Sequence, residues 1–225
     1  MHTPPRVRGG LSARAVSLIA GLFLFALAIV FQLESKLGLS PWDTLHQGIA
    51  KHTPLSFGVA NICVGAVVMA LAWALGAKVG VGTIANALLV GGFIQGLTAI
   101  PAVDHLSNDS LGVRISLLVA AMPLFGIASA LYIGAWFGAG PRDSLMVILT
   151  QRTWIRFCIV RTAIELCALG AGFALGGKIG VGTAVFALTI GPAVEAGFWL
   201  LQGSRIGEAG PAPSPLELPL ASSSG

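Results

Sequence analysis

The chain has 225 residues, of which 55% are hydrophobic before glycine is counted and only 10% are charged, with a net charge of +4 and a mean hydropathy of +0.86. A soluble domain carries about 25% charged residues, so this balance excludes a water-soluble globule and fits a protein whose solvent is lipid. The pI near 9.3 reads as a membrane-topology signal, which leaves no need for a nucleic-acid partner.

The first segment, 1–14, is rich in Pro, Gly and Arg and reads as a basic cytoplasmic tail. Between Arg14 and Glu34 lie 19 uncharged residues. Arg6, Arg8 and Arg14 precede them in the order of a signal peptide. However, "FQLESKLG" offers no small-residue cleavage site, so the segment is expected to remain as a helix. Uncharged windows of 25, 25 and 27 residues follow, from His52 to Lys78, Lys78 to Asp104 and Arg114 to Arg142. Two further apolar stretches are each interrupted by rare charges. A membrane helix needs about 20 mostly apolar residues, which predicts six spans near 15–33, 56–76, 84–103, 115–137, 155–176 and 184–203. The tail, 204–225, is Pro-, Gly- and Ser-rich and reads as disordered and cytoplasmic.

One ten-residue phrase occurs twice. "ALGAKVGVGT" (74–83) and "ALGGKIGVGT" (174–183) agree at eight positions, 100 residues apart. Without a gap, 15–100 and 115–200 share 22 identities in 86 positions. Repeat 1 is read as 15–103 and repeat 2 as 115–203, joined by a polar loop at 104–114. Each contains a span, a P-x-D loop, a short helical stretch, a span, a K-x-G-V-G-T turn and a span. Three spans per unit is odd, so the second unit enters from the opposite face. The expected fold is an all-α polytopic membrane protein of two inverted-topology three-helix repeats, each with a half-helix. About nine residues per half-helix rise roughly 14 Å, too short to cross. Eight Lys and Arg fall on the amino-terminal side and four on the other, which puts both termini in the cytoplasm.

The repeated turn, Lys78, Gly80, Gly82 and Thr83 with Lys178, Gly180, Gly182 and Thr183, has two readings. Backbone N–H groups before a helix can hold an anion. Equally, the glycines can end one helix while Thr83 and Thr183 cap the next. The order is wrong for a phosphate loop, in which Lys-Ser/Thr follows the glycines. Asp43 in "SPWDT" and Asp143 in "GPRDS" read as caps of the half-helices, or as polar ends near a solute path. Trp42 and Arg142 mark a divergence between the repeats.

Ionisable groups inside spans are costly and mark polar contacts or pathways. Arg161 and Glu165 are one turn apart and can pair. Glu195 stands alone on its helix and is matched in the first repeat by Gln95, while Arg161 is matched by Asn61. Asn61, Gln95, Arg161, Glu165 and Glu195 form the candidate midplane site, or else staple helices together. His46 and His52 read as interfacial polar residues. Cys63, Cys158 and Cys167 lack metal-ligand spacing and read as packing residues. No metal, cofactor or catalytic constellation is expected.

"GLSPWDTLHQGIAKHTPLSFGVANICVGAVV" and "KVGVGTIANALLVGGFIQG" resemble the YczE/YitT-like family of bacterial integral membrane proteins. The resemblance implies a small polytopic protein of the bacterial inner (plasma) membrane and implies no substrate or catalytic residue. A secondary-transporter-like permease for a small solute or ion is therefore one expectation. A non-transporting accessory or assembly protein is the other. The expected partners are the lipid bilayer, a small-molecule or ion substrate and, as an open alternative, a second copy of the chain in a homo-oligomer.

Overall fold

The computed structural model describes residues 3–55, 57–77 and 80–210. Lys78 of the first turn and the tail from 211 onward lie outside them. The described chain is helical: α1 (Leu11–Ser35), α2 (Pro41–His52), α3 (Phe57–Ala74), α4 (Val81–Thr98), α5 (Pro101–Asp104), α6 (Leu111–Gly134), α7 (Pro141–Thr153), α8 (Phe157–Ala174) and α9 (Val181–Gly203). Two short strands, β1 (Arg6–Val7) and β2 (Gly207–Glu208), pair antiparallel. The inner ends of both predicted tails therefore meet, with Arg8 N–H donating to Ile206 O at 2.8 Å. The predicted inter-repeat loop holds a 3-10 turn at His105–Asn108.

Among the described residues, five helices are long and apolar enough to cross a membrane: α1, α4, α6, α8 and α9. Six were expected; the described apolar run of α3, Val59–Ala74, is shorter. Large apolar side chains cover the outside, with Ile62, Trp73, Leu88, Phe173 and Trp199 all exposed. In water such a surface would aggregate, whereas hydrocarbon solvates it.

At the centre, α1 and α6 lie antiparallel along their full lengths. Arg14 Nε donates to Ala135 O at 2.8 Å, and Arg114 Nε donates to Ser35 O at 2.8 Å. Each arginine thus satisfies last-turn carbonyls of the other helix, where a helix dipole favours a cation. Helix α4 packs on α1 and α9 on α6. Edge-to-face contacts of Phe25 with Phe125 (5.2 Å) and Phe125 with Phe186 (5.3 Å) fill the core between them. With lipid as solvent, such close packing has to hold the helices together, because hydrophobic exclusion does not.

The short helices cross over. Helix α2, of the first half, packs on α8, and α7, of the second, packs on α3. They have 12 and 13 residues, a turn more than expected but still only about 18–20 Å long. Gly38 (φ +154°) and Gly138 (φ +103°) turn the chain between each long helix and its short successor, a conformation that glycine adopts at least cost.

The repeated turns close the crossover. Gly82 N–H donates to Phe137 O at 2.7 Å and Gly182 N–H to Leu37 O at 2.9 Å. These N–H groups are committed to backbone partners, so the anion-cradle reading of the turns is not supported. The capping expectation also shifts register. Gly80 and Gly180 are the N-cap residues, and Thr83 and Thr183 sit at the third helical position. Their hydroxyls accept from Gly80 N–H at 3.3 Å and Gly180 N–H at 3.2 Å. Lys178 takes part through its backbone, its N–H donating to Gln47 Oε1 at 2.7 Å.

Candidate functional site

The starts of α2 and α7 meet. Arg142 lies over the Trp42 ring, 4.7 Å from its centroid, and its Nη2 donates to Asn61 Oδ1 at 3.1 Å. Both P-x-D segments, Pro41 excepted, line one cavity of about 680 Å³ together with Asn61, Asn86, Arg161, Glu165 and apolar residues of α1, α4, α6 and α9.

Asp43 is not the N-cap of α2. Ser40 is, its hydroxyl accepting from Asp43 N–H at 3.2 Å and donating to Asp43 Oδ2 at 2.7 Å. A serine with an acid three residues on makes reciprocal bonds at a helix start; here the acid bonds the serine side chain. His46 Nδ1 stands 3.6 Å from Asp43 Oδ1. On α7 the N-cap is Gly140, which has no side chain to offer, and Asp143 turns into the core.

There Asp143 replaces Glu165 as the partner of Arg161. Arg161 Nη1 donates to Asp143 Oδ1 at 2.5 Å, and Tyr132 Oη donates to Asp143 Oδ2. The i,i+4 pairing expected on α8 is thus displaced by a residue from another helix. Glu165 is left 2% exposed, with no ion pair within 4.0 Å among the described residues. The Trp42 indole approaches it, yet Glu165 Oε2 and Trp42 Nε1 complete no hydrogen bond among the described residues.

Of the five predicted midplane residues, Asn61, Arg161 and Glu165 come together here, with Asp43 and Asp143. Gln95 is exposed and Glu195 is elsewhere; neither lines the cavity. Glu195 Oε1 accepts from Arg156 Nη2 at 2.8 Å, and its Oε2 accepts from Cys158 N–H at 3.2 Å. It therefore caps the start of α8 from α9. Replacing Glu195 with Ala is expected to cost about 1 kcal/mol, the usual value of a lost cap, measured by thermal unfolding in detergent.

Sequence reasoning missed Ser40, Trp42, Asn86, Tyr132 and Arg142 as site residues. The Trp42/Arg142 divergence was their visible trace, because the two side chains touch each other. Cys63 and Cys167 are exposed and Cys158 is half-buried, so the packing role expected of the first two does not hold. Among the described residues, no three His, Cys, Asp or Glu side chains gather as metal ligands do.

A model of a family of unknown function, DUF6198, matches residues 12–197. The chain belongs to that family. Among its relatives, an uncharacterized protein of Haemophilus influenzae is 35% identical over 179 residues, 77% of this chain and 80% of the relative. The uncharacterized membrane protein YczE of Bacillus subtilis is 33% identical over 180 residues, 76% of this chain and 79% of YczE. The uncharacterized protein YyaS of Bacillus subtilis is 24% identical over 170 residues, covering 72% and 81%. No solved structure matches. For this DUF6198 member, the likeness to YczE and the apolar helices together give a membrane protein.

Proposed function

We propose that the protein is a secondary-transporter-like permease of the bacterial inner membrane, moving a small solute or ion through the cavity at the start of α2 and α7. One observation carries the reading: two helices too short to span begin against each other at a cavity lined by charged side chains within an otherwise apolar wall. Transporters of inverted-repeat design bind their substrates in such a place, between broken helices.

In this reading α3 is the sixth span, and α1–α4 and α6–α9 are inverted repeats. The pairing of β1 with β2 supports it, since an even number of crossings would bring the segments before α1 and after α9 to one face. Helices α2 and α7 then dip in from opposite faces. The arginine excess puts the termini in the cytoplasm.

Sidedness tests the architecture. In a background lacking Cys63, Cys158 and Cys167, Thr53→Cys and Thr153→Cys place single thiols at the exposed outer ends of α2 and α7. A membrane-impermeant thiol reagent should reach Thr53→Cys only from outside the cell and Thr153→Cys only from opened membranes. Labelling of both from one face would make the repeats parallel. Gly91→Cys, in the cavity wall, then tests the permease reading itself, since alternating access requires labelling from each face in turn.

The accessory-protein reading has one observation of its own. Helix α8 packs along α9, but α3 and α4 do not pack along one another among the described residues. A partner, including a second copy of the chain, would cover that face. Labelling of Gly91→Cys from one face or neither would favour this reading.

A further inference from the structure

The cavity has a charge surplus. Its lining holds three carboxylates (Asp43, Asp143, Glu165) and two guanidiniums (Arg142, Arg161). Asp143 and Arg161 neutralise each other at 2.5 Å. Arg142 attracts both Asp43 and Glu165, with no ion pair within 4.0 Å to either among the described residues, so one carboxylate is still in excess. Glu165 remains, buried, with Oε2 bonded to nothing among the described residues. A carboxylate in that position takes up a proton or draws in a cation, because an unpaired buried charge is very costly.

The helix starts do not remove the surplus. A helix dipole acts within about one turn of its end, so α2 and α7 act on Asp43 and Asp143, in their first turns. Glu165 sits in the middle of α8, beyond that reach.

The rest of the lining describes the remainder of the ligand. Phe25, Phe125, Phe186, Ile29 and Val90 make most of the wall apolar. A volume of about 680 Å³ lies within the usual range of small-molecule sites, roughly 300–1,000 Å³. A bare metal ion would need several oxygens where this cavity presents hydrocarbon. On the α3–α4 side the lining residues Asn61, Ile62, Ala87 and Gly91 remain exposed, so the site opens toward the apolar surface.

We infer that the cavity binds an organic cation, a primary ammonium on an aromatic or aliphatic body, with Glu165 receiving the ammonium. The body lies against the phenylalanine wall, and the N–H donors satisfy Glu165 Oε2. This inference rests on the reading of the cavity as a substrate site, and it names the substrate class.

Binding in detergent tests it without any need for transport. Phenethylammonium is titrated into the full-length protein by calorimetry, beside phenylacetate and 2-phenylethanol, which keep the ring and change the charge. Saturable millimolar or tighter binding of phenethylammonium alone is expected. Glu165→Gln should weaken it at least tenfold, and Glu195→Gln should leave it unchanged. Should Glu165→Gln not fold, Gly91→Leu decides. No atom lies within 4 Å of a Cβ built at Gly91, so the leucine can enter the cavity without displacing structure, and loss of binding is expected.

Three results would each overturn the inference: no saturable phenethylammonium binding, phenylacetate binding as tightly, or undiminished binding in Glu165→Gln or Gly91→Leu. The permease reading fails separately. Cation binding with one-sided labelling of Gly91→Cys would keep the site and end transport. Two-sided labelling with anion preference would do the reverse.

Discussion

Asp143→Asn lowers the stability of the folded protein by about 3–5 kcal/mol, the cost of removing one partner of a buried ion pair. Arg161 is 4% exposed, its Nη1 donates to Asp143 Oδ1, and its Nε already lacks a partner among the described residues. Asparagine keeps an oxygen for the hydrogen bond but removes the charge, leaving a guanidinium uncompensated. Tyr132, fully buried, also loses an ionised acceptor. Bonds to charged groups are worth about 1.5–3 kcal/mol, against 0.5–1.5 for neutral ones.

The double variant Asp143→Asn/Arg161→Met separates pair from packing. Removing both charges leaves no orphan, so it should recover most of the loss, and the two changes should be strongly non-additive. Unfolding followed by tryptophan fluorescence in detergent measures the parent, Asp143→Asn, Arg161→Met and the double variant. If the single variant is within about 0.5 kcal/mol of the parent, as at an ordinary surface site, water reaches Arg161 and the pair is not sealed in the core.

The pair also explains what the sequence could and could not disclose. Uncharged windows located the long helices, because apolar length is a local property. The 100-residue echo located the turns and the P-x-D segments for the same reason. Within a helix, i,i+4 spacing made Glu165 the natural partner for Arg161. The true partner, Asp143, lies on α7, and only the packing of the two helices brings it near. Glu195 was misleading in the same way: no opposite charge lies on α9, but Arg156 arrives from the start of α8. Gln95 was carried along by its register with Glu195, yet it points outward. Asn61 and Glu165, which line the cavity, could be singled out because a polar group deep in an apolar run is visible wherever its partners are. Arg142 looked like a loop charge, and its stacking on Trp42 needs the two halves of the chain to be in contact.

Gly180→Ala should have an effect of similar size through a different cause. A Cβ at Gly180 would stand 2.3 Å from Leu37 O, and at Gly80 one would stand 2.0 Å from Phe137 O. The backbone angles are unremarkable, with φ −119° at Gly180 and −126° at Gly80, so only space demands glycine here. The obstructing atoms are main-chain carbonyl oxygens, which cannot rotate aside as a long side chain would. These oxygens also accept the Gly182 and Gly82 N–H bonds. Making room for one methyl group therefore parts the turn from the loop and breaks a hydrogen bond between the two halves of the chain. Overpacking alone costs about 1–3 kcal/mol, and an unmade buried bond adds about 1–3 more. The sites lie in separate turns, so Gly80→Ala/Gly180→Ala should be close to additive and leave little folded protein, read as loss of the monodisperse peak in size-exclusion chromatography. A phosphate-holding loop would behave otherwise, staying folded and losing only an anion. Normal yield and unfolding temperature in the double variant would return the anion-cradle reading to contention.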